Sequence, residues 1–364
     1  MIVDGKSTNT IWVDKDKRTV EIIDQTKLPF EFKIERLLNY KDAFIAIKEM
    51  LVRGAPLIGV TAAYGLCLAA NENSKIEFLE KACIHLKKAR PTAVNLNWSL
   101  ERMMAKAYET DESDMVDVLY DEAKNILDED INFCKQIGIH GSQLIEKLSN
   151  NKKKIVNILT HCNAGWLATV DWGTATSPIY TAFNNNIPIH VWVDETRPRN
   201  QGSFLTSWEL REHGVPHTII PDNTGGHLMQ KGDVDIVIVG SDRTTFTGDV
   251  CNKIGTYLKA LSAYDNNIPF YAALPSSTID WTINNGMEIP IEERNNNEVS
   301  KIRGKNKKGL MEEVQIIPDN TNVINYAFDV TPRKLVTGII TERGVCGASK
   351  DEILKLFPEK VNSQ

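Results

Sequence analysis

From Lys154 onward, short apolar runs rich in β-branched residues recur at 155–159, 187–193, 216–220, 235–240 and 269–274, with stretches of helical spacing between them. Strands separated by single helices indicate βαβ units. The pattern predicts a Rossmann-like, doubly wound parallel sheet covered by helices on both faces.

The first third reads differently. Residues 41–51, 57–70, 76–89 and 95–109 place apolar side chains three and four apart, the spacing of a buried helix face. Arg90-Pro91 reads as a stop, because proline disfavours the α conformation in the residue before it. From Asp111 to about Leu148, Met115, Val118, Leu119, Ala123, Ile126, Leu127 and Ile131 line one face of a long connecting helix. A chain of 364 residues exceeds the size at which one core stops growing. The expected division is an N-terminal mainly helical domain over 1–128 and a Rossmann-like catalytic domain over 129–364, an α/β protein as a whole. Residues 294–312, with Asn295-Asn296-Asn297 and the basic string 301–308, read as a solvated loop or lid.

Composition narrows the function classes. With 42% hydrophobic and 25% charged residues the chain can pack a core. A formal net charge of -6 disfavours general binding to nucleic acid or to an anionic membrane, while leaving room for a local basic pocket. The N-terminal residues lack the basic and apolar regions of a secretion signal, and no run reaches the roughly 18 apolar residues of a membrane span. A cytoplasmic protein is expected. The six cysteines, Cys67, Cys83, Cys134, Cys162, Cys251 and Cys346, show no zinc spacing and fit buried thiols in a reducing compartment.

Polar strings follow four of the expected strands: Thr160 to Gly165, Asp194 to Gly202, Asp222 to Gly226 and Gly240 to Arg243. Open α/β sheets bind ligands beyond the carboxyl ends of their strands, so these loops are expected to converge on one crevice. Neither G-x-G-x-x-G nor a Walker A string is present, and a nucleotide site has no motif behind it. Arg53-Gly54-Ala55-Pro56 ends one helix and opens another, so backbone N–H groups there can face an anion. Arg90, and Asn252-Lys253 at the start of the helix after the fourth strand, are further anion candidates, or else solvated surface charges. Cys162, beside His161, reads either as a thiol of lowered pKa at a helix N-terminus or as an inert buried cysteine. Asp242 reads either as an acid whose pKa is raised by burial or as a helix cap or partner of Arg243.

Several strings together carry a resemblance. Arg53-Gly54-Ala55-Pro56, Arg90-Pro91-Thr92-Ala93-Val94-Asn95-Leu96, Asn163-Ala164-Gly165, Asp194-Glu195-Thr196-Arg197-Pro198, Gly248-Asp249 with Asn252-Lys253-Ile254-Gly255-Thr256, and Ile289-Pro290-Ile291-Glu292-Glu293-Arg294 occur in that order. From about Lys41 to Gly347 the chain resembles the methylthioribose-1-phosphate isomerase family. Its wider superfamily includes ribose-1,5-bisphosphate isomerase and regulatory subunits of the translation-initiation exchange factor, which share the fold but not this set of residues. The resemblance implies Cys162 and Asp242 as the catalytic pair. It implies Arg53, Gly54, Ala55, Arg90, Gln201, Asn252 and Lys253 as contacts to substrate and phosphate. A homodimer acting on a small sugar phosphate, without metal or organic cofactor, also follows from it.

The implied reaction turns 5-methylthioribose 1-phosphate into 5-methylthioribulose 1-phosphate. The alternatives are 5-deoxyribose 1-phosphate, ribose 1,5-bisphosphate, or a non-catalytic sugar-phosphate-binding role. The chain departs from the family pattern at Trp166, Val170-Asp171-Trp172, Thr224-Gly225-Gly226-His227 and Thr244-Thr245-Phe246-Thr247. These changes either reshape the pocket around the 5-substituent or repack the region behind the loops.

Overall fold

The computed structural model describes residues 1–3, 5–15, 19–90, 93–152 and 154–363. After a short antiparallel pairing of Ile2–Val3 with Lys6–Ser7 comes a three-stranded antiparallel sheet, β1 (Ile11–Val13), β2 (Val20–Ile23) and β3 (Ile34–Leu37), in a region with no expected element. Its strands are only three or four residues long, too short to stand out in sequence.

The helices α1 (Tyr40–Lys48), α2 (Ala55–Glu72), α3 (Ile76–Lys87) and α4 (Val94–Tyr108) follow. They match the four periodic stretches, although Pro91 lies outside the described residues. Helix α2 is buried on nearly every side, as expected of a segment apolar all round. Helix α5 (Met115–Lys152) is 38 residues long and serves two cores. Met115, Leu119, Ala123 and Ile126 pack into the helical core, and Ile137 and Ile145 pack beneath the large sheet.

The second half alternates β4 (Val156–Thr160), α6 (Ser177–Asn184), β5 (Ile189–Asp194), α7 (Ser207–His213), β6 (His217–Ile220), α8 (Thr224–Gln230) and β7 (Ile236–Val239). Then come β8 (Arg243–Thr245), β9 (Val250–Lys253), α9 (Thr256–Asp265), β10 (Phe270–Ala273) and β11 (Ile279–Asp280). The chain continues through β12 (Lys301–Lys305), β13 (Met311–Gln315), β14 (Phe328–Thr331), β15 (Gly338–Thr341), β16 (Gly344–Cys346) and α10 (Lys350–Leu356).

Seven strands form the main sheet in the order β16-β15-β10-β7-β4-β5-β6, parallel except for β16. From β4 the chain winds outward to β5 and β6, then returns to the other side for β7, β10 and β15. The strand order therefore reverses between β4 and β7, which creates a crevice at their carboxyl ends. A smaller sheet, β11-β8-β9-β14, sits beside it. Residues 294–312, expected as a loop, contain a helical turn at Asn297–Ser300 and most of the antiparallel hairpin β12–β13. Its side chains are partly or fully exposed, so no apolar alternation marked it. Among the described residues, no helix is long and apolar enough to cross a membrane.

Candidate active site

Cys162 lies just beyond β4 and Asp242 just beyond β7, so the two flank the point where the strand order reverses. Cys162 is 7% exposed and has a left-handed backbone, φ 65°. That conformation costs a β-carbon-bearing residue about 1–3 kcal/mol and persists only when its surroundings hold it. Here two threonines do so. The amide of Cys162 donates to Thr196 Oγ1 at 2.8 Å, and its carbonyl accepts from Thr206 Oγ1 at 2.7 Å. The amide of Asp242 donates to the carbonyl of Cys251, the residue before Asn252 on β9, at 3.0 Å.

The cavity between them is small, about 60 Å³, and Arg53, Gly54, Ala55, Arg90, Cys162, Gln201, Asp242 and Lys253 all line it. Asn252 lines an adjoining recess that also touches Cys162 and Asp242. The structure thus brings every residue of the expected set to one place. The cavity shares Met50, Arg53, Gln201 and Arg294 with a neighbouring groove of about 430 Å³, which leads to the surface between residues 198–205 and β12.

The first half of the chain brings a helix N-terminus and two arginines to the cavity. Gly54 caps α2 with φ 93°, and a Cβ there would meet the carbonyl oxygen of Ala168 at 2.4 Å. Only glycine fits both demands. No side chain caps the helix, so its first N–H groups and the positive end of its dipole face the cavity. Arg53 donates through Nη1 to Asn163 Oδ1 and through Nη2 to the Asn163 carbonyl at 2.7 Å. Arg90 pairs with Glu292 at 3.0 Å, while its Nε and the Oε1 of Gln201 are buried without a protein partner. A donor and an acceptor left free in one cavity suit a ligand that carries both oxyanions and hydroxyls.

Burial sets the charge states. The Asp242 carboxyl is pushed above the ordinary carboxylate range by desolvation, against the opposing pull of Lys253, Arg90 and Arg53. Desolvation likewise raises the Cys162 thiol, opposed by Arg53 and Lys253. It lowers the Lys253 ammonium, which lies 4.9 Å from the centre of the Phe328 ring.

Three expectations need correction. Cys162 does not open a helix, because an extended segment separates it from the short turn Trp166–Ala168. Its thiol accordingly sits above, not below, its ordinary value. Asn252 and Lys253 end strand β9 rather than beginning α9. Of the four converging loops, the third stays out of the cavity. Its Asp222 instead accepts from the amides of Thr196 and Arg197, each at 2.7 Å, and braces the second loop.

His161, Asp194 and Asp222 cluster closely enough to suggest metal ligands. Apart from Asp194 Oδ1, which has no hydrogen-bond partner, their atoms are engaged: His161 Nδ1 meets Asp194 Oδ2 at 2.8 Å, its Nε2 meets the Ile254 carbonyl at 2.9 Å, and the Lys259 ammonium lies 3.2 Å from the same Asp194 oxygen. A buried ammonium occupies the position that a cation would take.

The initiation factor 2 subunit family model matches residues 51–348. The methylthioribose-1-phosphate isomerase of Methylorubrum extorquens is 56% identical over 99% of this chain and 99% of its own. That of Escherichia coli O45:K1 is also 56% identical, over 99% of this chain and 97% of its own. The chain belongs to the methylthioribose-1-phosphate isomerase family. Among solved structures, 5-methylthioribose 1-phosphate isomerase from Pyrococcus horikoshii is similar, with a TM-score of 0.83 and 40% identity over 97% of each chain. A protein described as translation initiation factor eIF-2B subunit delta from A. fulgidus gives a TM-score of 0.80 and 39% identity, covering 97% of this chain and 100% of its own.

Within this isomerase family the departures in sequence fall behind the site. Trp166 is 1% exposed, with its ring 5.9 Å from that of Trp208 in the core beneath the sheet. Asp171 accepts from the chain's terminal amine at 2.7 Å. None of Trp166, 170–172, 224–227 or 244–247 lines the cavity, its recess or the groove. Sequence reasoning named no role for Met50, Ile58, Ala93, Ile289, Pro290, Arg294 or Phe328, which also line the cavity. The Arg90-to-Leu96 string, which contains Ala93, and the Ile289-to-Arg294 string were the available signals, as parts of the family resemblance.

Proposed function

We propose that this protein converts 5-methylthioribose 1-phosphate into 5-methylthioribulose 1-phosphate, a step of methionine salvage. The observation that carries the reading is a half-buried carboxyl, held toward its protonated form by desolvation, in one cavity with a buried thiol and with Arg53, Arg90 and Lys253. An aldose 1-phosphate is locked at its anomeric carbon, so no free aldehyde can form. Breaking the bond from C1 to the ring oxygen requires a proton donor at that oxygen, and Asp242 supplies it. Hydrogen then passes from C2 to C1. On an enolate route Cys162 takes the C2 proton; on a hydride route it assists loss of the O2 proton as the ketone forms. The cations and the α2 N-terminus hold the phosphate, and the apolar wall of Met50, Ile58, Ile289, Pro290 and Phe328 excludes water. That wall suits a methylthio or methyl 5-substituent better than a second phosphate.

Phosphorus and proton NMR of purified protein with 5-methylthioribose 1-phosphate, and separately with 5-deoxyribose 1-phosphate, tests this. A ketose 1-phosphate forms, faster from the methylthio sugar. The resemblance to the initiation-factor subunit supports a second reading, non-catalytic binding of a sugar phosphate. Binding of both sugars by folded protein without conversion would establish that reading instead. We further take the protein to be a cytoplasmic homodimer that needs no nucleic acid. Light scattering then gives twice the chain mass and fractionation leaves the protein in the soluble extract; a monomer or a membrane pellet refutes the corresponding statement.

A further inference from the structure

Glu209, on α7, is fully buried and touches neither the cavity nor its recess. Its Oε1 accepts from the amide of Leu167 at 2.7 Å and from Asn163 Nδ2 at 3.0 Å, and its Oε2 accepts from the Tyr180 hydroxyl at 3.2 Å. A Cβ on Gly165 would lie 1.6 Å from Glu209 Oε2, so that glycine leaves room for the carboxyl. A buried carboxyl that takes three donors, and for which the facing loop gives up a side chain, has a specific task there.

The task lies with Asn163. An amide side chain can flip, and which end faces Arg53 depends on its other partners. Glu209, as an acceptor, draws the Nδ2 end inward, aided by Thr206 Oγ1 at 3.2 Å. This turns Oδ1 outward to receive Arg53 Nη1, while the Asn163 carbonyl receives Nη2. Two anchored nitrogens fix the plane of the guanidinium and leave its remaining N–H groups for the cavity.

We infer that Glu209 is a positioning residue: through Asn163 it aims the Arg53 guanidinium at the substrate's phosphate. The inference rests on the sugar-phosphate reading above. Burial pushes the Glu209 carboxyl up to about 7, so the site keeps a costly group where an apolar one would pack.

Glu209→Met keeps the bulk and removes the acceptor. It is expected to raise KM for 5-methylthioribose 1-phosphate, and Kd for inorganic phosphate by calorimetry, about tenfold, with kcat nearly unchanged. Glu209→Gln restores both, because its carbonyl oxygen still takes the two N–H donors and the Tyr180 hydroxyl can accept from its amide. Wild-type affinity in Glu209→Met, equal losses in both variants, or a loss confined to kcat would each overturn the inference. If thermal melts show that Glu209→Met does not fold, Glu209→Asp replaces it; drawing the oxygens back by one methylene raises KM and Kd likewise, and unchanged values overturn the inference. Calorimetry with phosphate needs no turnover. Phosphate binding weakened in Glu209→Met while the wild-type protein shows no turnover would sink the isomerase reading alone, and binding unaltered in Glu209→Met while the wild-type protein turns over would sink this inference alone.

Discussion

Asp242→Asn is expected to lower kcat about a thousandfold while the protein folds and binds phosphate normally, because loss of a placed general acid typically removes two to four powers of ten. The amide keeps the shape of the carboxyl but has no proton to give the ring oxygen. The pH profile checks the role separately. Desolvation raises the carboxyl above its ordinary value, and the acid works only when protonated. Wild-type kcat therefore falls as pH climbs through that raised value, and the residual activity of the variant shows no such limb. Stability moves in the opposite sense. In the window above the unfolded carboxyl's pKa the native state binds more protons than the unfolded chain, so wild-type stability declines with rising pH. Asparagine mimics the protonated form and removes that penalty, so the melting temperature at neutral pH should not drop. A variant within tenfold of wild-type kcat would exclude Asp242 as the acid.

Cys162→Ser is expected to be nearly as damaging, with kcat again falling about a thousandfold. The exchange alters one atom, and the left-handed backbone is held by Thr196 and Thr206 through main-chain groups that serine retains. The difference is chemical. Burial raises the thiol, yet Arg53 and Lys253 draw it back toward ionisation, and a hydroxyl in the same place stays protonated far more firmly. Single-turnover NMR on the variant measures the loss, and wild-type spectra taken in D2O distinguish the routes: an enolate acquires solvent deuterium at C1, whereas a hydride shift does not. Full activity in the serine variant would reduce Cys162 to a packing residue.

The parallel sheet was legible because β4, β5 and β7 are mostly buried apolar runs with polar residues soon after them. Arg53-Gly54-Ala55-Pro56 was legible as a helix start from local chemistry alone, and the structure places that start at the cavity. The misplaced features depended on tertiary contacts. Nothing in the string His161-Cys162-Asn163 shows that no helix begins there, so the direction of the thiol's shift could not be read. Asn252-Lys253 precedes a helix in sequence, but pairing with β14 makes it a strand. Glu209, in Trp208-Glu209-Leu210-Arg211, looks like any carboxylate on an exposed helix face; its burial results from the fold of the loop around Gly165.

Helix α5 crosses from one hydrophobic core to the other without a break, packed against α2 and α4 at one end and against α6 at the other. It acts as a ruler. Helix α2 packs in one core, and strands β4 and β7, which lead to Cys162 and Asp242, pack in another, yet one continuous helix contributes to both. A hinge between the two halves would have to break that helix, so the spacing of Arg53 and Gly54 from Cys162 and Asp242 is set during folding.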